Sequence, residues 1–219
     1  MSFFPTVIHT TFTSFSGEIE VLEVEGRRRL VVGHLVQSVN KDYPGIWEKV
    51  WGQLLNFPYP LKSNPTVLIL GLGGGTVAHL ANRKFLPSKI MAVEIDPSII
   101  EIARKFFALA EIKNLEVANR DAFDFIKDDL AERWDLVVVD IYAGQSFPFE
   151  ALRPEFYRNL KEKLNLSGII SINRIFHDDQ KSERQEFTRL LMDVFGKVSE
   201  KFIESPVPTK NYLYYAQKL

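Results

Sequence analysis

The chain has 219 residues, 46% of them hydrophobic and 25% charged, the proportions of a globular protein long enough for one substantial core with a small appendage. Its formal net charge of -1 supplies no long-range attraction to phosphate backbones or anionic lipid, so neither nucleic acid nor membrane is expected as a partner. The sequence has no cysteine, which excludes disulfides, thiolate metal sites and a thiol nucleophile and fits a reducing, cytoplasmic location. The start, Met1-Ser2-Phe3-Phe4-Pro5, lacks the basic and apolar regions of a signal peptide, and no apolar run approaches the ~20 residues of a membrane span.

Residues 18 to 39 alternate apolar and polar positions around Gly26-Arg27-Arg28, which predicts strand, turn, strand, with Arg27 to Arg29 as a solvated hairpin tip. From Tyr43 to Leu55, Ile46, Trp47, Val50, Trp51, Leu54 and Leu55 recur at helical spacing, and Pro58 and Pro60 stop the run. Residues 56 to 65 read as a linker, dividing a 1–60 appendage from a 61–219 main domain. The pattern then alternates: a strand from Val67 to Leu70, a glycine turn, a helix to about Phe85, a strand from Ile90 to Val93, a helix from Pro97, and a strand from Leu115 to Ala118. Leu136 to Val139 is an unbroken apolar run, as a central parallel strand buried on both faces requires. A helix around Glu155 to Leu164, a strand at Gly168 to Ile172, a helix containing Phe187, Leu190, Leu191 and Val194, and two strands around Pro206 and Pro208 complete the chain. The fold expected is α/β, a doubly wound parallel sheet with a small N-terminal β appendage.

Gly71-Leu72-Gly73-Gly74-Gly75 follows a strand and opens a helix, so that backbone N–H groups approach a ligand closely; the other reading is a tight turn that needs positive φ. No Gly-Lys-Ser/Thr follows, which excludes a Walker loop. Glu94 ends the next strand about 20 residues on, where an acidic side chain accepts ribose hydroxyls, a feature shared by NAD and by adenosyl sulfonium ligands. The final glycine of the dinucleotide fingerprint is replaced by Thr76. Asp121-Ala122, just after a strand, is placed either to bond an adenine amino group or to cap a helix. Asp140 closes the buried run, where a carboxylate either orients and deprotonates an amine nucleophile or caps a loop. His9, His34, His79 and His177 lack metal-ligand spacing, so no metal is expected. Ser38 near His34 has no nucleophile-elbow context. Phe106, Phe107, Trp134, Phe156 and Tyr157 read as core.

These residues resemble the spermidine synthase family, a branch of the S-adenosylmethionine methyltransferase fold, from about residue 17 to 175. Gly33-His34-Leu35-Val36-Gln37-Ser38 resembles its segment after the N-terminal hairpin, Val67 to Gly75 its glycine loop, Val93-Glu94-Ile95-Asp96 its ribose-binding strand end, Asp121-Ala122 its adenine contact and Asp135 to Asp140 its catalytic strand. The resemblance implies cofactor contacts from Gln37, Gly71, Gly73, Gly74, Gly75, Glu94, Ile95, Asp121 and Ala122, substrate contacts from Tyr43 and Tyr142, and proton removal by Asp140. It implies decarboxylated S-adenosylmethionine as donor, a diamine as acceptor and a possible homodimer. The site would be roofed by residues 37 to 47 and 141 to 152.

Two departures stand out. Gly74 occupies the place of the family aspartate that holds the donor's aminopropyl ammonium, and Ile141-Tyr142-Ala143-Gly144 lacks the second aspartate that binds the diamine. Losing two charge-assisted hydrogen bonds, each worth roughly 1.5 to 3 kcal/mol, weakens polyamine-type ligands by about two to four decades. A loop of bare N–H groups suits the carboxylate of ordinary S-adenosylmethionine, so methyl transfer is the alternative expectation, with a non-catalytic nucleoside-binding protein behind it.

Overall fold

A computed structural model describes residues 4–128, 131–142, 146–204 and 209–219. Met1 to Phe3, Ala143, Gly144, Pro206 and Pro208 lie outside the described residues.

The appendage is larger than a hairpin. Four antiparallel strands, β1 (Thr6–Thr13), β2 (Gly17–Val24), β3 (Arg27–Val32) and β4 (Leu35–Val39), form a meander in sequence order. Two-residue turns at Glu25-Gly26 and Gly33-His34 have positive φ at every position, the mirror-image turn geometry that matches the twist of paired strands. The arginine run is not a free tip. Arg27 begins β3, Arg28 donates to Glu23 and to the Phe106 carbonyl, and Arg29 donates to the Tyr43 hydroxyl.

The helix expected over residues 43 to 55 shrinks to α1 (Val50–Gln53). Pro44 and Gly45, the latter at φ 66°, break it, and successive i to i+3 bonds from Tyr43, Ile46 and Glu48 replace the helical ladder. These turns still bury Ile46, Trp51, Leu54 and Leu55. Gly52 allows the close crossing, since a Cβ there would lie 2.4 Å from the Trp47 Cα.

The main layer alternates β5 (Thr66–Leu70), α2 (Thr76–Phe85), β6 (Lys89–Glu94), α3 (Pro97–Phe106), β7 (Leu115–Asn119), α4 (Ala122–Lys127), β8 (Trp134–Val139), α5 (Pro154–Lys163), β9 (Leu164–His177), α6 (Lys181–Phe195), β10 (Val198–Ile203) and β11 (Thr209–Gln217). The strand order is β10-β11-β9-β8-β5-β6-β7, parallel from β9 to β7, with β11 antiparallel to both its neighbours. This is the doubly wound, methyltransferase-like sheet. Its order reverses between β5 and β8, which is where ligands of open α/β sheets bind.

One face of the sheet packs Val67, Ile69 and Leu136 against α2 and against Val39, Ile46, Trp51, Leu54 and Leu55. The other packs Leu68, Leu70, Val137 and Val139 against α4, α5 and α6. Phe57, Tyr59 and Leu61 join the first cluster, so the segment expected as a linker is part of the core and packing is continuous across residue 60. The meander lays Ile19, Val21, Leu30 and Val32 on Ile99, Ile102 and Phe107, which roofs the carboxyl edge of the sheet.

Candidate active site

The glycine turn begins where β5 ends. Gly71 has φ 90°, and a Cβ there would stand 2.1 Å from the Asp140 carbonyl oxygen, so only glycine lets β5 and β8 run on side by side. The amides of the turn are all engaged. Gly71 N–H donates to the Val93 carbonyl at 3.0 Å and Gly75 N–H to the Leu72 carbonyl at 2.9 Å. Leu72 and Gly73 donate to Glu94 Oε2 at 3.1 and 3.3 Å, and Gly74 donates to Ser38 Oγ at 2.8 Å. The bare amides expected for a carboxylate are therefore absent from this turn. A side chain at Gly74 has no room either, for its Cβ would meet the Ser38 Cβ at 2.9 Å and the Phe107 ring at 3.2 Å.

Glu94 ties the turn to the next strand, because its Oε1 accepts from Asp96 N–H at 3.0 Å while Oε2 serves the loop. Burial pushes its carboxyl upward, against the pull of these three backbone bonds. Asp96, fully buried, caps α3 through Ser98 N–H at 2.9 Å. Its other oxygen accepts from the Thr13 and Ser16 hydroxyls at 2.5 and 2.6 Å. The N-terminal meander is thereby bonded to the end of β6.

A cavity of about 270 Å³ opens above these residues. Gln37, Gly71, Gly73, Glu94, Ile95, Asp121, Ala122, Asp140 and Tyr142 all line it. Gly74 and Gly75 stand behind the wall, Gly75 as the N-cap of α2 with φ 84°. Tyr43 is set apart from the cavity, since Arg29 Nε and Nη2 hold its hydroxyl at 3.1 and 2.7 Å and Lys49 lies over its ring. The turns that replace the expected helix carry it outward. Asp121 caps a helix, the second of the two readings, and also lines the cavity. Oδ1 caps α4 by accepting from Phe123 and Asp124 N–H at 2.7 and 3.1 Å, while the side chain faces the cavity.

Of the expected roof, Gln37, Ser38, Ile141, Tyr142, Pro148 and Glu150 reach the cavity. Ser16, Leu30, Val32, Trp51 and Arg120 join them without having been singled out from the sequence. Ser38 is 2% exposed and holds the glycine turn. Its signal in the sequence is a hydroxyl set among the apolar residues of a strand.

Asp140 lies deep at the cavity floor. Burial pushes its carboxyl up to about 6, and a hydrogen bond from Asn173 Nδ2 at 2.8 Å opposes the shift. Such a carboxylate is ionised at neutral pH yet basic enough to accept a proton from an attacking amine. Tyr142 is anchored above it by Ile175 N–H, which donates to its hydroxyl at 2.7 Å, and burial raises the phenol. Four carboxylates, those of Glu94, Asp121, Asp140 and Glu150, and one guanidinium, that of Arg120, line the space. Arg120 is already paired with Asp128.

A glycine turn held by an acidic strand end, with a buried carboxylate across the switch point, encloses a ligand-sized cavity at the carboxyl edge of a methyltransferase-like sheet. Residues 52–215 match the spermine/spermidine synthase domain, and the chain belongs to that family. A probable polyamine aminopropyl transferase from Bifidobacterium longum is 27% identical over 180 residues, covering 82% of this chain and 40% of the relative. An eEF1A lysine and N-terminal methyltransferase homolog from Drosophila melanogaster is 30% identical over 149 residues, covering 64% of this chain and 22% of that protein. The chain thus spans less than half the length of these curated relatives. The crystal structure of spermidine synthase from Thermotoga maritima shares the fold, with TM-score 0.74 and 19% identity over 97% of this chain and 73% of that one.

Proposed function

We propose that the chain is an aminopropyltransferase acting on decarboxylated S-adenosylmethionine and a small amine. The amine nitrogen attacks the propyl carbon bonded to sulfur, the C–S bond breaks, methylthioadenosine leaves, and Asp140 takes the proton the nitrogen loses. Catalysis in such an in-line displacement is positioning plus deprotonation. The observation that carries the reading is the state of the glycine turn. Its amides are spent on Val93, Glu94, Ser38 and Leu72, and the cavity lining is acidic. A donor tail bearing an ammonium alone suits that environment, and a tail bearing a carboxylate is repelled by it.

Methyl transfer from S-adenosylmethionine is the second reading. It draws on the similarity to the eEF1A methyltransferase homolog and on the absence of an acidic side chain at Gly74. Calorimetric titration with S-adenosylmethionine, its decarboxylated form and methylthioadenosine at one pH separates the two. Aminopropyl transfer requires the decarboxylated donor to bind at least about tenfold more tightly than S-adenosylmethionine. The reverse order overturns it in favour of methyl transfer. In the first case Asp140→Asn lowers turnover by about 100- to 10,000-fold with methylthioadenosine binding kept.

A further inference from the structure

Asp140 is held from the side of the sheet. Ile172 on β9 is in register with Val139 on β8, so the next residue, Asn173, stands beside Asp140. Asn173 is 4% exposed, and its Nδ2 donates to Asp140 Oδ1 at 2.8 Å. Its own Oδ1 accepts from Asn211 Nδ2, also at 2.8 Å. Asn211 lies on β11 opposite Ile175, one pleat along the same face of the sheet. Among the described residues, Asn173 is the only hydrogen-bond partner of the Asp140 carboxylate.

An asparagine amide has a donor end and an acceptor end of almost the same shape, and nothing in Asn173 itself decides which end meets the carboxylate. The Asp140 carboxylate, which only accepts, takes the NH₂ end, and Asn211, by donating to the oxygen that remains, holds the amide in that sense.

We propose that Asn173 and Asn211 are positioning residues whose amide chain, running from β11 through β9, holds one oxygen of Asp140 and presents the carboxylate to the acceptor amine. The inference rests on the reading of Asp140 as the proton acceptor. Tyr142 on the following loop senses the Asp140 charge. Across the cavity stand Glu94 from β6, Arg120 and Asp121 after β7, and Glu150 beyond the loop. Arg174, the neighbour of Asn173, interacts instead with Tyr142 and Tyr157, and its guanidinium lies 4.2 Å from the Phe147 ring centroid.

Asn211→Asp is the informative change, since a carboxylate accepts only. Asn173 must then turn its NH₂ group toward β11 and its carbonyl toward Asp140, setting two acceptors face to face unless Asp140 is protonated. The Asp140 titration, followed by carbon-13 NMR of Asp-labelled protein and assigned by its loss in Asp140→Asn, should rise by about one pH unit or more. The new charge also acts through space, so the same change is made in Asn173→Leu, or in Asn173→Ser should the leucine variant not fold. Without the amide relay the shift should fall to less than half. Equal shifts in the two backgrounds, or no shift in either, overturn the proposal. The acid limb of the turnover profile should move with the NMR midpoint. The NMR readout needs no turnover, so a relay that shifts the titration in a protein transferring no aminopropyl group stands, and that result counts against the proposed function alone.

Discussion

Asp140 shows how one residue sets stability against chemistry. Its carboxyl sits at about 6 rather than at its ordinary 3.8 because burial disfavours the charge. A folded-state value above the unfolded one means that the folded protein holds the proton longer. The penalty is absent below about pH 4, grows as pH rises to 6, and is full above that. Two pH units at 1.36 kcal/mol each amount to about 3 kcal/mol. Asp140→Asn should therefore unfold at a higher temperature than the parent protein at pH 8, with the gap closing by pH 4, as thermal melts at the two values will show. A gap independent of pH would mean that the charge is not what destabilises the site. Glu94 works differently, for its charge is spent inside the protein on Leu72, Gly73 and Asp96 N–H groups. Glu94→Gln replaces one accepting oxygen by a donor that faces those amides. Loss of about 1.5 to 3 kcal/mol of charge-assisted bonding should weaken methylthioadenosine binding by about 10- to 100-fold in a calorimetric titration.

The glycine turn works as a junction between elements. Gly71 lets β5 pass the end of β8, and Gly74 lets Ser38 of β4 press onto the loop. Gly74→Asp, which writes the missing family carboxylate back into the sequence, should not restore polyamine-type binding. Its Cβ collides with Ser38 and Phe107, so the melting temperature and methylthioadenosine affinity should both fall. A gain in affinity for the decarboxylated donor would show that the β4 segment yields. The strands β5 and β8 were legible in the sequence because burial on both faces leaves an unbroken apolar run, as at Leu136 to Val139. Glu94, Asp121 and Asp140 were legible because strand ends fix where such side chains fall. The strand β1 was not legible, since Val7 and Phe12 are 49% and 77% exposed and the strand is held by pairing with β2 rather than by burial. The turns around Tyr43 were misread because i to i+3 bonds can bury the same side chains as a helix. Asn173 and Asn211 act through partners 33 and 38 residues away in sequence, which no local pattern records.

Across the molecule, one buried carboxylate bonds the turn between β1 and β2 to the end of β6. Asp96 takes the hydroxyls of Thr13 and Ser16 on one side and hands its N–H to Glu94 on the other, while Ser16, Leu30 and Val32 help close the cavity. The apolar contact of Ile19, Val21, Leu30 and Val32 with α3 is non-directional. The two hydroxyls add direction at the β1–β2 turn, as Ser38 does at the other end of the meander. Replacing both, as Thr13→Val with Ser16→Ala, leaves one oxygen of a fully buried carboxylate without its partners, a cost on the order of 3 kcal/mol. The loss should be local if the meander opens as a unit. Amide exchange should then speed up over residues 6 to 39 while β5 and β8 keep their protection, and methylthioadenosine affinity should drop several-fold because part of the cavity wall is loosened. Equal loss of protection in both sheets would show instead that meander and sheet unfold together, making the roof inseparable from the layer beneath the cavity.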